Sequence, residues 1–246
     1  MSDGAPRRFI LALEGPSDLP RVQSLVDHFL EKHAGGATPL NELRRFEGIE
    51  GEPYVKISTI PVLARARKLQ NRYSSGGPKK GDGGTLRTLW QVLHKDRRLA
   101  SDVVILWVRD DDGYSERRAE AEDGRASLPD PARIRLGIAS ECGEAWVIAG
   151  FRPMTPEAKA KLAEWRKKLG FAPHMEPHRL SHEENAPKSA KRVHEDLFER
   201  DQEQQTAALL LAAEAGDQAS SSCGLAAFCE EIEEHLSSTR GDQRGH

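Results

Sequence analysis

Asp102-Val103-Val104-Ile105-Leu106-Trp107-Val108-Arg109-Asp110-Asp111-Asp112 is the stretch that decides the fold. Its apolar run is short, rich in β-branched residues and stops at a charged turn. That pattern predicts a β-strand covered on both faces, as in a parallel sheet. The acids then fall just past the strand's C-terminal end, where open α/β sheets gather ligands. A second run, Phe9 to Leu13, ends the same way on Glu14.

The flanking segments supply the helices such a sheet needs. Gly15-Pro16-Ser17-Asp18 is a turn, and Leu19 to His33 carries Val22, Leu25, Val26, Phe29 and Leu30 at helical spacing. After a loop rich in glycine and charge (Ala34 to Pro53), Tyr54 to Val62 alternates as a second strand. Thr85 to Leu93 forms a helix on Leu86, Leu89, Trp90 and Leu93. Ile134 to Ala139 adds a strand and Glu141 to Ile148 a helix. This order predicts an α/β three-layer sandwich with a central, mostly parallel sheet over residues 1–152. Residues 153–246 predict a C-terminal helical appendage packed on it. Pro156 to Leu169, Lys188 to Arg200, Gln202 to Ala215 and Gly224 to Ser237 are its helices. Phe171 to Pro187, with three prolines, is irregular, and the polar tail 238–246 frays.

Composition narrows the function. The chain has 246 residues and a net charge of −3, so its global charge does not announce a nucleic-acid binder. No run approaches the length that spans a bilayer, and three cysteines without a Cys-x-x-Cys pair read as reduced thiols, so a soluble, cytoplasmic protein without membrane association is expected. Charge is uneven, however. Within a basic insertion, residues 63–98, Arg65, Arg67, Lys68, Arg72, Lys79, Lys80, Arg87, Lys95, Arg97 and Arg98 outweigh Asp82 and Asp96. Such a patch neutralises phosphates in a nucleic-acid binder, and is equally the solvated face of a helix. The glycine-rich Ser74 to Gly84 lacks the Gly-Lys-Ser/Thr ending of a phosphate loop, which argues against nucleotide hydrolysis. His174, His178 and His182 recur every four residues, but Pro173 and Pro177 break the helix that would align them for zinc.

Asp110 and Asp112 place two carboxylates a short distance apart on one turn, within reach of one Mg²⁺ (or Mn²⁺), a cation that takes oxygen ligands. Glu14 joins them if its strand and the Val103–Val108 strand are neighbours. The alternative is ordinary turn chemistry, which also favours aspartate.

Glu14-Gly15-Pro16-Ser17-Asp18 after one strand, and Asp110-x-Asp112 after a later one, resemble the toprim fold of topoisomerases, primases and overcoming-lysogenization-defect-type nucleases. Gly143-Glu144-Ala145-Trp146-Val147-Ile148-Ala149, Ala186-Pro187-Lys188 and Gly224-Leu225-Ala226-Ala227-Phe228 are similar to landmarks of a small stand-alone toprim-like family of bacterial proteins of unknown function, often encoded beside ATPases in defence loci. The resemblance spans Phe9 to Leu236. It implies a Mg²⁺-dependent nuclease, the effector of a bacterial defence system, acting on DNA or RNA. The alternative it carries is a non-catalytic subunit that binds a partner ATPase or nucleic acid. It implies Glu14 as general acid or base, and Asp110 and Asp112 as metal ligands, with the Asp111 side chain turned away. Glu144 becomes a further ligand or a helix-start carboxylate. Lys188 approaches a scissile phosphate or starts a helix. Arg109, where many toprims carry an apolar residue, offsets the acids or contacts a phosphate. Trp146 belongs to the core. With Tyr54, Tyr73 and Tyr114 as its tyrosines and no room for a cleavage domain, a topoisomerase is not expected. Without a preceding zinc module, neither is a primase.

Overall fold

β1 (Arg7–Leu13) is buried from Phe9 onward, and three of the sheet's other strands pair directly with it. The computed structural model describes residues 6–35, 38–69 and 81–241. After β1 come α1 (Asp18–Ala34), α2 (Leu40–Leu43), β2 (Arg44–Glu47), β3 (Val55–Lys56), α3 (Ile60–Ala66), α4 (Asp82–Lys95), β4 (Val103–Asp110), α5 (Arg117–Ala126) and β5 (Ile134–Ala139). Six further helices follow: α6 (Glu144–Ala149), α7 (Pro156–Leu169), α8 (Ala190–Phe198), α9 (Gln202–Ala215), α10 (Gln218–Ser222) and α11 (Leu225–Gly241).

The protein is therefore α/β, with a mostly parallel five-stranded sheet flanked by helices, in the order β2-β1-β4-β5 with β3 also paired to β1. β1 runs parallel to β2, β3 and β4. Phe9 faces Val104, Ile10 faces Ile105, Leu11 faces Leu106 and Ala12 faces Trp107. Because both strands run the same way, extending this register by two or three residues carries β1 to Glu14 and β4 to Asp110 at one edge of the sheet. The continuous apolar run of β4 is buried from Val103 to Val108, as a strand covered on both faces must be.

Two compact units can be distinguished among the described residues. One draws on Met1–Leu19, Leu30–Val108 and Ser115–Leu136, the other on Pro20–Phe29, Arg109–Tyr114 and Gly137–His246. In the first unit α4 packs on α5 through two glycines: a Cβ on Gly124 would stand 2.3 Å from the Cα of Gly83. In the second, α6 packs on α8 and α9, and Trp146 stacks on Phe228 with its indole N–H donating to the Cys223 carbonyl at 2.8 Å. Trp146 is thus core, as expected. So are the three cysteines, all buried and none in a disulfide.

Several boundaries differ from expectation. The strand expected over Tyr54 to Val62 is two residues long. A 3₁₀ turn (Ile57–Thr59) and α3 take the rest, with Pro61 in the first turn, where its missing N–H and fixed φ suit a helix. α2, β2, α5 and α10 arise where no element was expected. β2 is charged and held by its partners: Arg8 donates twice to Glu47 at 3.1 Å, and Arg98 donates to Glu47 at 2.8 Å. These arginines, Arg8 first, hold the Glu47 carboxyl down at about 2. No helix among the described residues is long and apolar enough to cross a membrane. Of the expected frayed tail, residues 242–246 lie outside the described residues, and α11 extends to Gly241.

Candidate metal centre

Glu14, Asp110 and Asp112 each bring one carboxylate oxygen to within 4.8 Å of the others. Glu14 and Asp110 are half-buried and Asp112 is exposed. An octahedral Mg²⁺ with ligands at about 2.1 Å places opposite oxygens about 4.2 Å apart, so small side-chain movements suffice to close the set. The donors are all hard oxygens, which suits Mg²⁺, Mn²⁺ or Ca²⁺ and not a thiolate-seeking ion.

The local chain explains the placement. Asp112 and Gly113 both adopt left-handed backbone, φ 49° and 71°, so the chain reverses directly after β4. Asp111 fixes that turn from within. Its N–H donates to the Ala139 carbonyl at 2.8 Å, and its Oδ1 accepts from Gly113 N–H at 2.9 Å and from Glu141 N–H at 2.7 Å. The middle acid of the turn therefore ties it to the end of β5.

Glu14 has a neighbour of opposite charge. Arg117, at the start of α5, lies 3.8 Å from Glu14 and 3.2 Å from the buried Asp82, which sits in the first turn of α4. Asp82 N–H in turn donates to Glu120 at 3.2 Å. The glycines of Gly81 to Gly84 accordingly begin a helix; residues 74–80 of that stretch lie outside the described residues.

The remaining candidates are distributed differently. Glu144 is not in the triad: its carboxylate accepts from Arg21 at 2.8 Å, and although burial raises its pKa, Arg21, the Glu144 backbone N–H and Cys142 together hold it down at about 2. Beside this pair lie Cys142, whose thiol burial pushes well above its usual range, and His194, which burial and Arg21 push down to about 4. Lys188 is exposed ahead of α8, its carbonyl accepting from Ser181 N–H at 2.8 Å. Arg109 is half-buried next to Asp110 in β4. Of the basic insertion, Arg65 and Lys68 are exposed, whereas Arg67 is engaged with Asp96 at 2.7 Å and Glu50 at 3.1 Å, so its charge is already matched. Arg72, Lys79 and Lys80 lie outside the described residues. An open hollow of about 600 Å³ is lined by His94, Lys95, Arg97, Leu99 and Ala100 at the end of α4.

Sequence reasoning missed Arg117, Arg21 and Glu141, and weighed His182 only as a zinc ligand alongside His174 and His178. Glu141, with φ 65°, accepts at one carboxylate oxygen from both the N–H (3.2 Å) and Nδ1 (2.9 Å) of His182. Glu141, and more weakly Asp112, raise the pKa of that imidazole. His174 instead is half-buried with its pKa lowered by burial, and the three histidines form no common metal-capable group among the described residues. No family model, curated protein or solved structure matches the chain.

Proposed function

We propose that this chain is a toprim-like, Mg²⁺-dependent nuclease that hydrolyses phosphodiester bonds in DNA or RNA. The observation that carries this is the convergence of Glu14, Asp110 and Asp112 at the C-terminal ends of adjoining parallel strands. A bound divalent cation would be held by Asp110 and Asp112, and would supply charge stabilisation for a pentavalent phosphorus and a more acidic water. Glu14, held near Arg117, takes the proton of the attacking water. Arg109, beside Asp110, and the exposed Arg65 and Lys68, with Lys95 and Arg97 around the open hollow, provide positive charge for a nucleic-acid backbone.

Incubation of the purified protein with plasmid, single-stranded DNA and tRNA, each with Mg²⁺ or Mn²⁺, tests this. Cleavage is expected to fall by about 10²-fold or more in Asp110→Ala and Glu14→Ala. A wild type that binds metal and nucleic acid yet cleaves none of the three substrates contradicts it. That result would point to a non-catalytic subunit working with a partner such as an ATPase.

A further inference from the structure

The turn that carries Asp110 and Asp112 has a histidine built against it. A Cβ placed on Gly113 would lie 3.5 Å from Glu141 Oε1 and 3.7 Å from His182 Cε1, so carboxylate and imidazole both rest on the turn. The imidazole is oriented: its Nδ1 sits 2.9 Å from Glu141 Oε2, and that same oxygen accepts the His182 backbone N–H. Glu141 is itself fixed, because its N–H donates to Asp111 inside the metal turn. The chain holds Glu141 in left-handed backbone, φ 65°, a conformation costly for a residue without the short polar side chain of Asn or Asp. A carboxylate–imidazole pair with one ring nitrogen fixed leaves Nε2 as the working atom. The His182 side chain is about one-third exposed, enough to meet a substrate.

We propose that His182, oriented by Glu141, is the proton donor to the leaving oxygen of the phosphodiester. The inference rests on the nuclease reading above and adds a residue to it. In the step, the attacking water's oxygen bonds to phosphorus while its proton passes to Glu14. The bond from phosphorus to the leaving oxygen breaks, and that oxygen takes the proton from His182 Nε2. Nothing is oxidised or reduced, and one water is consumed per bond cleaved.

The test compares His182→Gln and Glu141→Gln with wild type on two diesters: an oligonucleotide, whose alkoxide leaving group needs a proton, and bis(p-nitrophenyl) phosphate, whose aryl oxide does not. Mn²⁺ affinity by calorimetry is measured alongside. His182→Gln is expected to lose about 10²-fold or more on the oligonucleotide and less than about tenfold on the aryl diester. Its Mn²⁺ affinity should be unchanged, and Glu141→Gln should show a smaller loss of the same selectivity. Equal losses on both substrates, or a Mn²⁺ affinity lowered tenfold in His182→Gln, overturn the proposal, the latter by making His182 a metal ligand. A wild type inert on both diesters fails the nuclease reading itself, and His182 with it, so the two failures are told apart by the wild type alone.

Discussion

Three carboxylates with oxygens within 4.8 Å of one another repel, at about 1 kcal/mol per pair even where water screens them fully. Arg117, 3.8 Å from Glu14, offsets part of that charge. The protein without metal therefore carries a local electrostatic burden that a divalent cation relieves. Asp110→Asn should raise the melting temperature of the metal-free protein by roughly 2–4 °C, about what 1 kcal/mol delivers in a chain of this size. Mn²⁺ should raise that temperature further in wild type and not in Asp110→Asn; scanning calorimetry with and without chelator measures both. At this scale the sequence was readable where chemistry and strand ends coincide, as at Glu14, Asp110 and Asp112. It was silent on Arg117, Arg21 and Glu141 and on the pairing of His182, whose partners lie between 30 and 123 positions away in the chain and are set by packing. Lone Arg, Glu and His residues in loops and helices carry no local signal of such pairing.

Elements were legible in proportion to how much of their stability is written locally. α7 announces itself with Thr155, whose hydroxyl accepts from Ala158 N–H, with Pro156 at its first position, and with Gly170 closing it at φ 76°. α9 is capped by Asp201 in the same way. Ile57, Ile60 and Ala64, all buried, recur at helical spacing and outvote the alternation that suggested a long strand. By contrast β2 and α5 have few apolar residues of their own and exist because neighbours hold them. For α5 the neighbour is α4, reached across Gly83 and Gly124. Gly124→Ala puts a methyl carbon 2.3 Å from the Gly83 backbone, where no flexible side chain can yield. It should cost about 1–3 kcal/mol or more by urea unfolding. Because Arg117 rides on α5 and Asp82 on α4, the same variant should shift the cation beside Glu14 and so change Mn²⁺ affinity. Unchanged stability would show that the two helices do not meet as described.

For the whole molecule, the sheet and its flanking helices follow from the alternation of buried strands and amphipathic helices, and that much was evident in residue order. What pattern alone does not give is the half-buried ion pair of Arg21 and Glu144 with the buried His194 beside it. The folded state holds His194 neutral, with its pKa near 4 against about 6.5 in an unfolded chain, so above pH 6.5 the two states bind protons equally there. As pH falls from 6.5 toward 4 the unfolded chain takes up a proton that the folded one refuses, and stability drops by on the order of 3 kcal/mol. Glu144, held near 2, extends the loss below pH 4.5, since the unfolded carboxyl protonates first. Urea midpoints should therefore fall steadily below pH 6.5, and His194→Phe should remove the part between 6.5 and 4.5. An identical slope in that variant would assign the acid sensitivity elsewhere. The central claim, that Glu14, Asp110 and Asp112 form one divalent-metal site, is tested most directly by anomalous diffraction from crystals soaked in Mn²⁺. The account predicts a single strong peak bonded at about 2.1 Å to oxygens of those side chains. A map without a peak there, or with manganese bound to other residues, would contradict it.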